Sequence, residues 1–399
     1  MEGDFIKINK ALLPLSWLYG FGVGLRNLLF DLGIRRSYSF RTPIVSVGNI
    51  TVGGTGKTPH VEYLVRLLKE QFNVAVLSRG YKRKSRGFII ADSETPMREI
   101  GDEPYQMKLK FPDITVAVDK NRVHGINELT ANDSKDSKVD VVLLDDAYQH
   151  RRVKPGINIL LVDYHRLAIY DTLLPAGRLR EPLKGKDRAN IVIVTKCPKG
   201  LKPMEFRVLS KAMNLFPYQS LYFSTLEYEP LKPLFGEGNR TIASLADKNV
   251  MLLTGIASPR QMLEDLSDGA KSITTMTFGD HHQFSRSDIN RINKVFEQME
   301  SPRCIITTEK DAARLMGIGG LSDEVRQNMW VQPVRIKIIQ DQQQDFDDQI
   351  TDYIITNGRR RKKTMPKAKK NDDDDSIKSS QVNEKKTSGD KPQKVTIRF

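Results

Sequence analysis

The sequence predicts an α/β fold in which helices cover a mostly parallel sheet, and three observations carry that prediction. Between residues 43 and 196, short apolar runs alternate with helical stretches. Most of these runs are continuously apolar, which is typical of parallel strands buried on both faces. The alternation returns beyond residue 245, which predicts a second, smaller α/β module. A chain of 399 residues has room for about two or three domains.

Composition excludes several classes of protein. Two cysteines, Cys197 and Cys304, are too few for a disulfide framework or a structural zinc cluster, and they favour a reducing, cytosolic compartment. A hydrophobic fraction of 39% with 28% charged residues is slightly polar for a globular protein but well short of a disordered composition. Of the net charge of +14, +8 belongs to residues 359–399, so the rest of the chain carries the ordinary charge of a basic enzyme.

The first element is an N-terminal amphipathic helix. Residues 11–25 are uncharged, lie between Lys10 and Arg26, and include Trp17 and Phe21. This run is short for a spanning helix, which needs about 20 apolar residues, and no small-residue cleavage site follows it as in a secretory signal. Composition leaves two interpretations open: a helix at a membrane interface, or a helix packed on the domain itself.

The strands of the two modules follow in order. In the first module the predicted strands span 43–48, 74–80, 114–119, 139–146, 157–163 and 190–196. In the second they span 249–255, 273–279, 303–310 and a last run near 330–338, with helical stretches at 258–266 and 285–298. The resulting division is an N-terminal helix (1–36), a first module (37–215), a second module (216–356) and a tail (357–399).

The tail is predicted to be disordered and basic. Five cationic residues at 359–363 and further lysines precede four aspartates at 372–375. Such charge blocks cannot bury a core. A solvated tail is the plain interpretation, and attraction to nucleic acid or to anionic lipid is the alternative.

A glycine-rich loop between strand 43–48 and a helical pattern predicts a P-loop that binds nucleotide phosphates. Glycines allow backbone N–H groups to turn toward phosphate oxygens, and the helix N-terminus adds its positive end. Lys57 is expected to reach the β- and γ-phosphates and Thr58 to bind Mg²⁺. The first glycine of the usual motif is replaced by Thr51. The loop assigned to the nucleotide consists of Thr51, Val52, Gly53, Gly54, Thr55, Gly56, Lys57 and Thr58.

Two carboxylates, Asp145 and Asp146, end a buried strand and predict the magnesium site, because isolated burial of such groups would be costly. A solvated strand end is the structural alternative. The P-loop alone does not choose between a GTPase, an ATPase and a small-molecule kinase. A GTPase would normally carry N-K-x-D, whereas the comparable strand end at 194–198 reads VTKCP, which disfavours that class.

Eight motifs follow one another along the chain: LPLSWLYG (13–20), PIVSVGNITVGGTGKTP (43–59), SRGY (78–81), GDEP (101–104), DDAYQHRRV (145–153), PAGRLREP (175–182), Asp280-His281 and TTEKDA (307–312). In these motifs and their order, the sequence resembles the tetraacyldisaccharide 4′-kinase family, which phosphorylates the 4′-hydroxyl of the lipid A disaccharide. The resemblance covers about residues 8–355 and implies a P-loop kinase core that uses ATP and Mg²⁺.

The resemblance implies a role for each matched residue. Asp102 would be the catalytic carboxylate and His281 its dyad partner, although Asp102 has the structural alternative of capping the helix that GDEP begins. The chain departs from the family pattern at Lys82, often a glycine there, and at His282, which adds a second histidine after His281. The other implied catalytic residues are Lys57, Arg122 and Arg180, and the implied metal-site residues are Thr58, Asp145, Asp146 and Glu181.

The resemblance also implies the partners and the location. The substrate would be a membrane-held lipid A precursor, which favours the membrane interpretation of the N-terminal helix. The protein is therefore expected on the cytoplasmic face of the bacterial inner membrane, as a peripheral or monotopic protein. Neither nucleic acid nor an obligate protein partner is expected. The alternative from another class is a peripheral P-loop NTPase switch in metal delivery or protein targeting; a nucleic-acid protein inferred from the basic tail is disfavoured.

Overall fold

The computed structural model describes residues 6, 8–131, 139–236, 240–256, 259–279 and 282–358. These residues form two β-sheets with helices packed on them. The predicted basic tail and the Asp280-His281 pair lie outside the described residues.

The first sheet has nine strands and is mostly parallel, which confirms the predicted fold class. Its order is β14-β8-β7-β6-β1-β5-β2-β4-β3, and the edge strands β14 and β3 run antiparallel to their neighbours. Strand β1 pairs in parallel with both of its neighbours, β5 and β6. The loop after β1 therefore lies at the edge of the sheet formed by the carboxyl ends of these strands, where α/β proteins bind ligands. The strands are β1 (Ile44–Gly48), β2 (Val74–Ser78), β3 (Ile89–Ala91), β4 (Thr115–Val118), β5 (Val141–Asp145), β6 (Ile157–Asp163), β7 (Ile191–Thr195), β8 (Ser220–Tyr228) and β14 (Val334–Ile338).

Helices bury the apolar side chains of this sheet. On one face, Leu64 and Ile350 pack with Val45 of β1. On the other, Leu209 packs with Val192 of β7. The α-helices are α1 (Leu13–Asp31), α2 (Lys57–Leu68), α3 (Met97–Ile100), α4 (Asp102–Lys110), α5 (Arg122–Ala131), α6 (Pro203–Met213) and α11 (Gln343–Asn357). Short 3-10 helices span Lys10–Leu12, Tyr164–Arg166, Ala168–Tyr170 and Leu183–Arg188.

The second sheet has five strands in the order β11-β10-β12-β13-β9, parallel except for β9. Its strands are β9 (Lys232–Pro233), β10 (Asn249–Thr254), β11 (Ser272–Thr277), β12 (Arg303–Thr308) and β13 (Met329–Gln332). Its helices are α7 (Arg260–Ser267), α8 (Arg286–Glu297), α9 (Glu309–Met316) and α10 (Asp323–Gln327). A second, smaller α/β module is therefore present, as the sequence predicts.

The division between the two sheets differs from the predicted boundary after residue 215. Strand β8 pairs in parallel with β7, so the first sheet continues past that boundary. The predicted run near 330–338 is two strands in different sheets, since Pro333, which has no N–H to donate to a ladder, separates β13 from β14. Helix α11 then packs on the first sheet through Phe346 and Ile350. The division into domains at the predicted residues stays a prediction.

Helix α1 packs on the chain through polar residues and exposes apolar ones. Ser16 Oγ donates to the carbonyl of Leu173 at 2.9 Å, and Tyr19 Oη donates to the carbonyl of Arg180 at 2.6 Å. In the described ranges, no helix is long and apolar enough to cross a bilayer. The exposed apolar side chains of α1 are Leu15, Trp17, Leu18, Phe21, Leu25 and Leu28, followed by Leu32.

Replacing Ile350 tests the packing of α11 on the first sheet. The side chain of Ile350 is 0% exposed, so Ile350→Ala leaves a cavity. We expect the free energy of unfolding to fall by about 2–5 kcal/mol, measured by urea denaturation followed by circular dichroism. Asp352→Ala, on the exposed side of the same helix, should change it by less than about 0.5 kcal/mol. Equal effects of the two variants would contradict this packing.

Candidate active site

The glycine-rich loop joins β1 to α2 in the predicted strand–loop–helix order. Gly53 and Gly56 have φ angles of 125° and 81°, a region that favours glycine. Gly56 is the N-cap of α2, so the N–H groups of the first helical turn lie at the loop. Lys57 and Thr58 begin the helix. The loop therefore has the geometry of an anion-binding helix N-terminus.

One edge of the loop pairs with the segment that contains the PAGRLREP motif. The Val52 N–H donates to the carbonyl of Arg178 at 2.8 Å, and Thr51 forms an antiparallel bridge with Leu179. A residue in a β-bridge has an extended backbone, which threonine adopts readily. This pairing explains why a threonine fits where the usual motif has its first glycine.

Buried polar side chains that the sequence analysis left unassigned anchor the loop from behind. His60 contacts the carbonyl of Gly56 through Nδ1 at 2.7 Å and Ser224 Oγ through Nε2 at 3.0 Å. Burial lowers the pKa of His60 to about 4, so this imidazole is neutral. Thr195 Oγ1 donates to the carbonyl of Thr55 at 3.0 Å. The sequence signal for His60 was its place four residues after Gly56, one helical turn away.

The two predicted metal-site aspartates lie opposite the P-loop lysine. Asp146 Oδ1 lies 3.7 Å from Lys57 Nζ and 3.3 Å from Arg180 Nη1. Asp146 has a φ of 46°, a left-handed conformation that aspartate tolerates better than most residues. Burial, followed by the charges of Glu103 and Asp146, raises the pKa of Asp145 to about 7. The structure thus brings Lys57, Arg180 and both aspartates together.

Glu103, which the sequence analysis did not assign, belongs to the same cluster. It forms a 2.7 Å ion pair with Lys310 of α9. Although burial opposes the shift, the charges of Lys310 and Lys57 lower the pKa of Glu103. In the sequence, Glu103 stands out only as the second acidic residue of GDEP. The sequence alone does not tell which of these two carboxylates faces Lys57.

The side chains present suit a magnesium ion. Asp145 Oδ1 is buried and has no hydrogen-bond partner in the described part of the chain. A buried carboxylate oxygen of this kind matches the preference of Mg²⁺ for oxygen ligands. Among the residues described, no three His, Cys, Asp or Glu side chains form a metal-binding group by themselves. In phosphate-transferring sites, Mg²⁺ is usually held by one or two carboxylates together with substrate phosphates and water.

Asp102 is the first residue of α4, and the N-cap is Gly101, so Asp102 does not cap the helix. Arg314 donates to its Oδ2 through Nε at 2.9 Å and Nη2 at 2.7 Å. Asp102 precedes Glu103 and therefore lies at the same end of α4 as the acidic cluster. The predicted partner, His281, lies outside the described residues, so the dyad stays a prediction.

Arg122 and Glu181 make contacts that brace the surrounding structure. Arg122 Nη2 donates to the carbonyl of Asp145 at 3.2 Å, and burial lowers the pKa of Arg122 to about 10, which leaves it protonated at neutral pH. Both carboxylate oxygens of Glu181 accept from Arg188 Nη2, at 3.1 and 2.9 Å, and one also accepts from Gln149 at 2.9 Å. The catalytic role of Arg122 and the metal role of Glu181 stay predictions.

Comparisons with known proteins find one family throughout. A family model described as tetraacyldisaccharide-1-P 4′-kinase matches residues 8–355. The tetraacyldisaccharide 4′-kinase of Phocaeicola vulgatus is 56% identical over 362 residues, covering 90% of this chain and 99% of that protein. The enzyme of the same name from Bacteroides thetaiotaomicron is 50% identical over 369 residues, covering 90% and 97%. A crystal structure of LpxK from Aquifex aeolicus in complex with ATP is similar with a TM-score of 0.65 and 29% identity, covering 87% and 99% of the two chains.

Asp145 gives the metal-free protein a specific pH dependence. Its folded-state pKa of about 7 lies above the ordinary value of 3.8, so between these values the native state holds a proton that the unfolded chain has lost. Stability in EDTA should therefore fall as the pH rises through this window. Asp145→Asn, which has no proton to lose, should show a smaller fall in urea midpoint between pH 5 and pH 8. Asp352→Asn, at an exposed position, should behave like the wild type; a wild-type slope in Asp145→Asn would contradict the assignment.

Proposed function

The chain belongs to the tetraacyldisaccharide-1-P 4′-kinase family, and from that premise we propose that it transfers the γ-phosphate of ATP to the 4′-hydroxyl of this acylated disaccharide. Family membership decides against the alternative of an NTPase switch. One observation carries the proposal: the P-loop N-terminus of α2 faces an acidic cluster, with Lys57 Nζ 3.7 Å from Asp146. That pairing is what phosphoryl transfer from a magnesium nucleotide needs.

The nucleotide half of the site consists of loop residues 51–58 and the carboxyl end of β5. Backbone N–H groups and Lys57 would hold the ATP phosphates. Thr58, Asp145 and Asp146 would hold Mg²⁺, with Glu103 as a further candidate. When bound there, Mg²⁺ supplies charge neutralisation on the phosphate oxygens. Lys57 and Arg180, which already contact Asp146, stabilise the negative charge that develops during transfer.

The acceptor half begins with Asp102. A sugar hydroxyl is a weak nucleophile, so its attack on the γ-phosphorus is favoured when a carboxylate accepts the hydroxyl proton as the new P–O bond forms and the bond to ADP breaks. Asp102, next to Glu103 at the start of α4, is suited to this task by position. His281 is proposed as its partner from the family motif.

Helix α1 supports docking at the cytoplasmic face of the inner membrane. Trp17 and Phe21 are 72% and 71% exposed on its apolar face, while its polar residues contact the chain. An exposed apolar face of this size is costly in water and stable in the interfacial region of a bilayer. The same docking brings the carboxyl edge of the sheet close to a lipid headgroup, because Tyr19 contacts the carbonyl of Arg180.

Labelled ATP and a tetraacyl-disaccharide 1-phosphate acceptor test the proposed reaction. The wild type should form labelled lipid. Lys57→Ala removes charge at the phosphates and Asp102→Ala removes the proposed base, so each should lower kcat by about 100-fold or more. Lys337→Ala, a lysine paired with Glu227 at an exposed edge, should keep activity within about two-fold of the wild type. Full activity of Asp102→Ala would refute its role as the base.

Liposome cosedimentation tests the membrane face of α1. The double variant Trp17→Glu/Phe21→Glu places two charges on that face and should lose most binding to vesicles containing anionic phospholipid. Activity on detergent-dispersed lipid should survive, because neither side chain lies in the proposed site. Met204→Glu/Tyr218→Glu, at exposed positions elsewhere, should bind like the wild type. Undiminished binding by the α1 variant would argue for a different docking surface.

A further inference from the structure

Helices α4 and α9 connect the two sheets through complementary charges. Three ion pairs join the two helices. The pairs are Asp102 with Arg314 at 2.7 Å, Glu103 with Lys310 at 2.7 Å, and Lys110 with Glu309 at 2.6 Å. The first two pairs involve the acids at the catalytic end of α4, so the second sheet contributes cations directly behind the proposed site.

Arg314 is the most constrained of these cations. Its side chain is 0% exposed. Nε and Nη2 both donate to Oδ2 of Asp102, and Nη1 donates to Oδ1 of Asp311 at 3.1 Å. A planar guanidinium that bonds two carboxylates at once fixes the relative orientation of both.

Asp311 anchors this arrangement to the second sheet. Its Oδ2 accepts from the Gly255 N–H at 2.9 Å and from Thr308 Oγ1 at 2.7 Å. Gly255 follows β10, and Thr308 ends β12. Arg314 is therefore held by the ends of two neighbouring strands, which makes it a rigid support for Asp102 rather than a flexible surface partner.

We propose that Arg314 is a positioning residue for phosphoryl transfer, which holds the Asp102 carboxylate in the orientation that accepts the proton of the sugar hydroxyl. The inference rests on the proposed function, in which Asp102 is the base. A displacement of about 1 Å in a reacting group can cost on the order of 100-fold in rate, so a support of this rigidity has a direct kinetic consequence. The second module is then part of the catalytic apparatus.

The pair between Lys110 and Glu309 provides a matched control. It joins the same two helices, and Lys110 Nζ also lies 2.6 Å from Glu62 Oε2 of α2. Lys110 lies at the other end of α4, about two turns from Asp102. Glu309→Gln therefore weakens the contact between α4 and α9 without removing a bond to the proposed base.

The experiment compares steady-state kinetics of the full chain with ATP and the lipid acceptor. Arg314→Lys keeps the charge but loses the guanidinium fork, and should lower kcat by about 10- to 100-fold while KM for ATP stays within about two-fold. Arg314→Met should lower kcat further. Glu309→Gln should keep kcat within about three-fold of the wild type. Circular dichroism checks folding; if Arg314→Met does not fold, Arg314→Lys decides.

Each other outcome overturns the inference. A wild-type kcat in folded Arg314→Lys, or an equal loss of kcat in Glu309→Gln, would mean that Arg314 only holds the helices together. Asp102→Asn, measured in parallel, separates the failures: an inactive Asp102→Asn beside a fully active Arg314→Lys rejects this inference and leaves the proposed function in place. An active Asp102→Asn rejects the base and the inference together, and a wild type that transfers no phosphate to the lipid rejects the proposed function with both.

Discussion

The burial of Asp145 at the end of β5 is the constraint around which the site is organised. A buried carboxylate is costly unless positive charge compensates it, and Glu103 and Asp146 add further negative charge nearby. Cations from several helices offset this negative charge. Lys57 of α2 and Arg122 of α5 act on Asp145, and Lys310 of α9 pairs with Glu103. The site therefore depends on both sheets, since the helices of the first supply Lys57 and Arg122 and a helix of the second supplies Lys310.

The sequence predicted the elements whose signal is local. The six strands of the first module were identified because continuous apolar runs indicate burial on both faces, and the P-loop was identified by its glycines between a strand and a helix. Strand β8 was not predicted, because Ser224, Thr225 and Glu227 interrupt its apolar residues and leave no continuous apolar run. Its pairing with β7 extends the first sheet beyond the predicted boundary.

Contacts between distant residues could not be predicted in the same way. Asp102 and Arg314 are 212 positions apart, and no spacing rule connects them. The choice between Asp102 and Glu103 also depended on how α4 is rotated, which adjacent acids do not reveal. For α1, composition left a membrane helix and a packed helix as alternatives, and the structure shows that one face is packed through polar side chains while the apolar face remains exposed.

At Pro333 the chain passes from the second sheet back to the first, and this return has a consequence for the architecture. Tyr228 and Val334 are direct antiparallel partners in the first sheet, so the chain leaves that sheet and returns to it at adjacent positions. The whole second sheet is thus an insertion into what would otherwise be a β-hairpin. Shortening the chain to a tight turn between those two residues would keep the ladder of the first sheet while discarding every cation that α9 supplies. Excision at these two residues would therefore separate the contribution of the nucleotide-binding sheet from that of the second sheet.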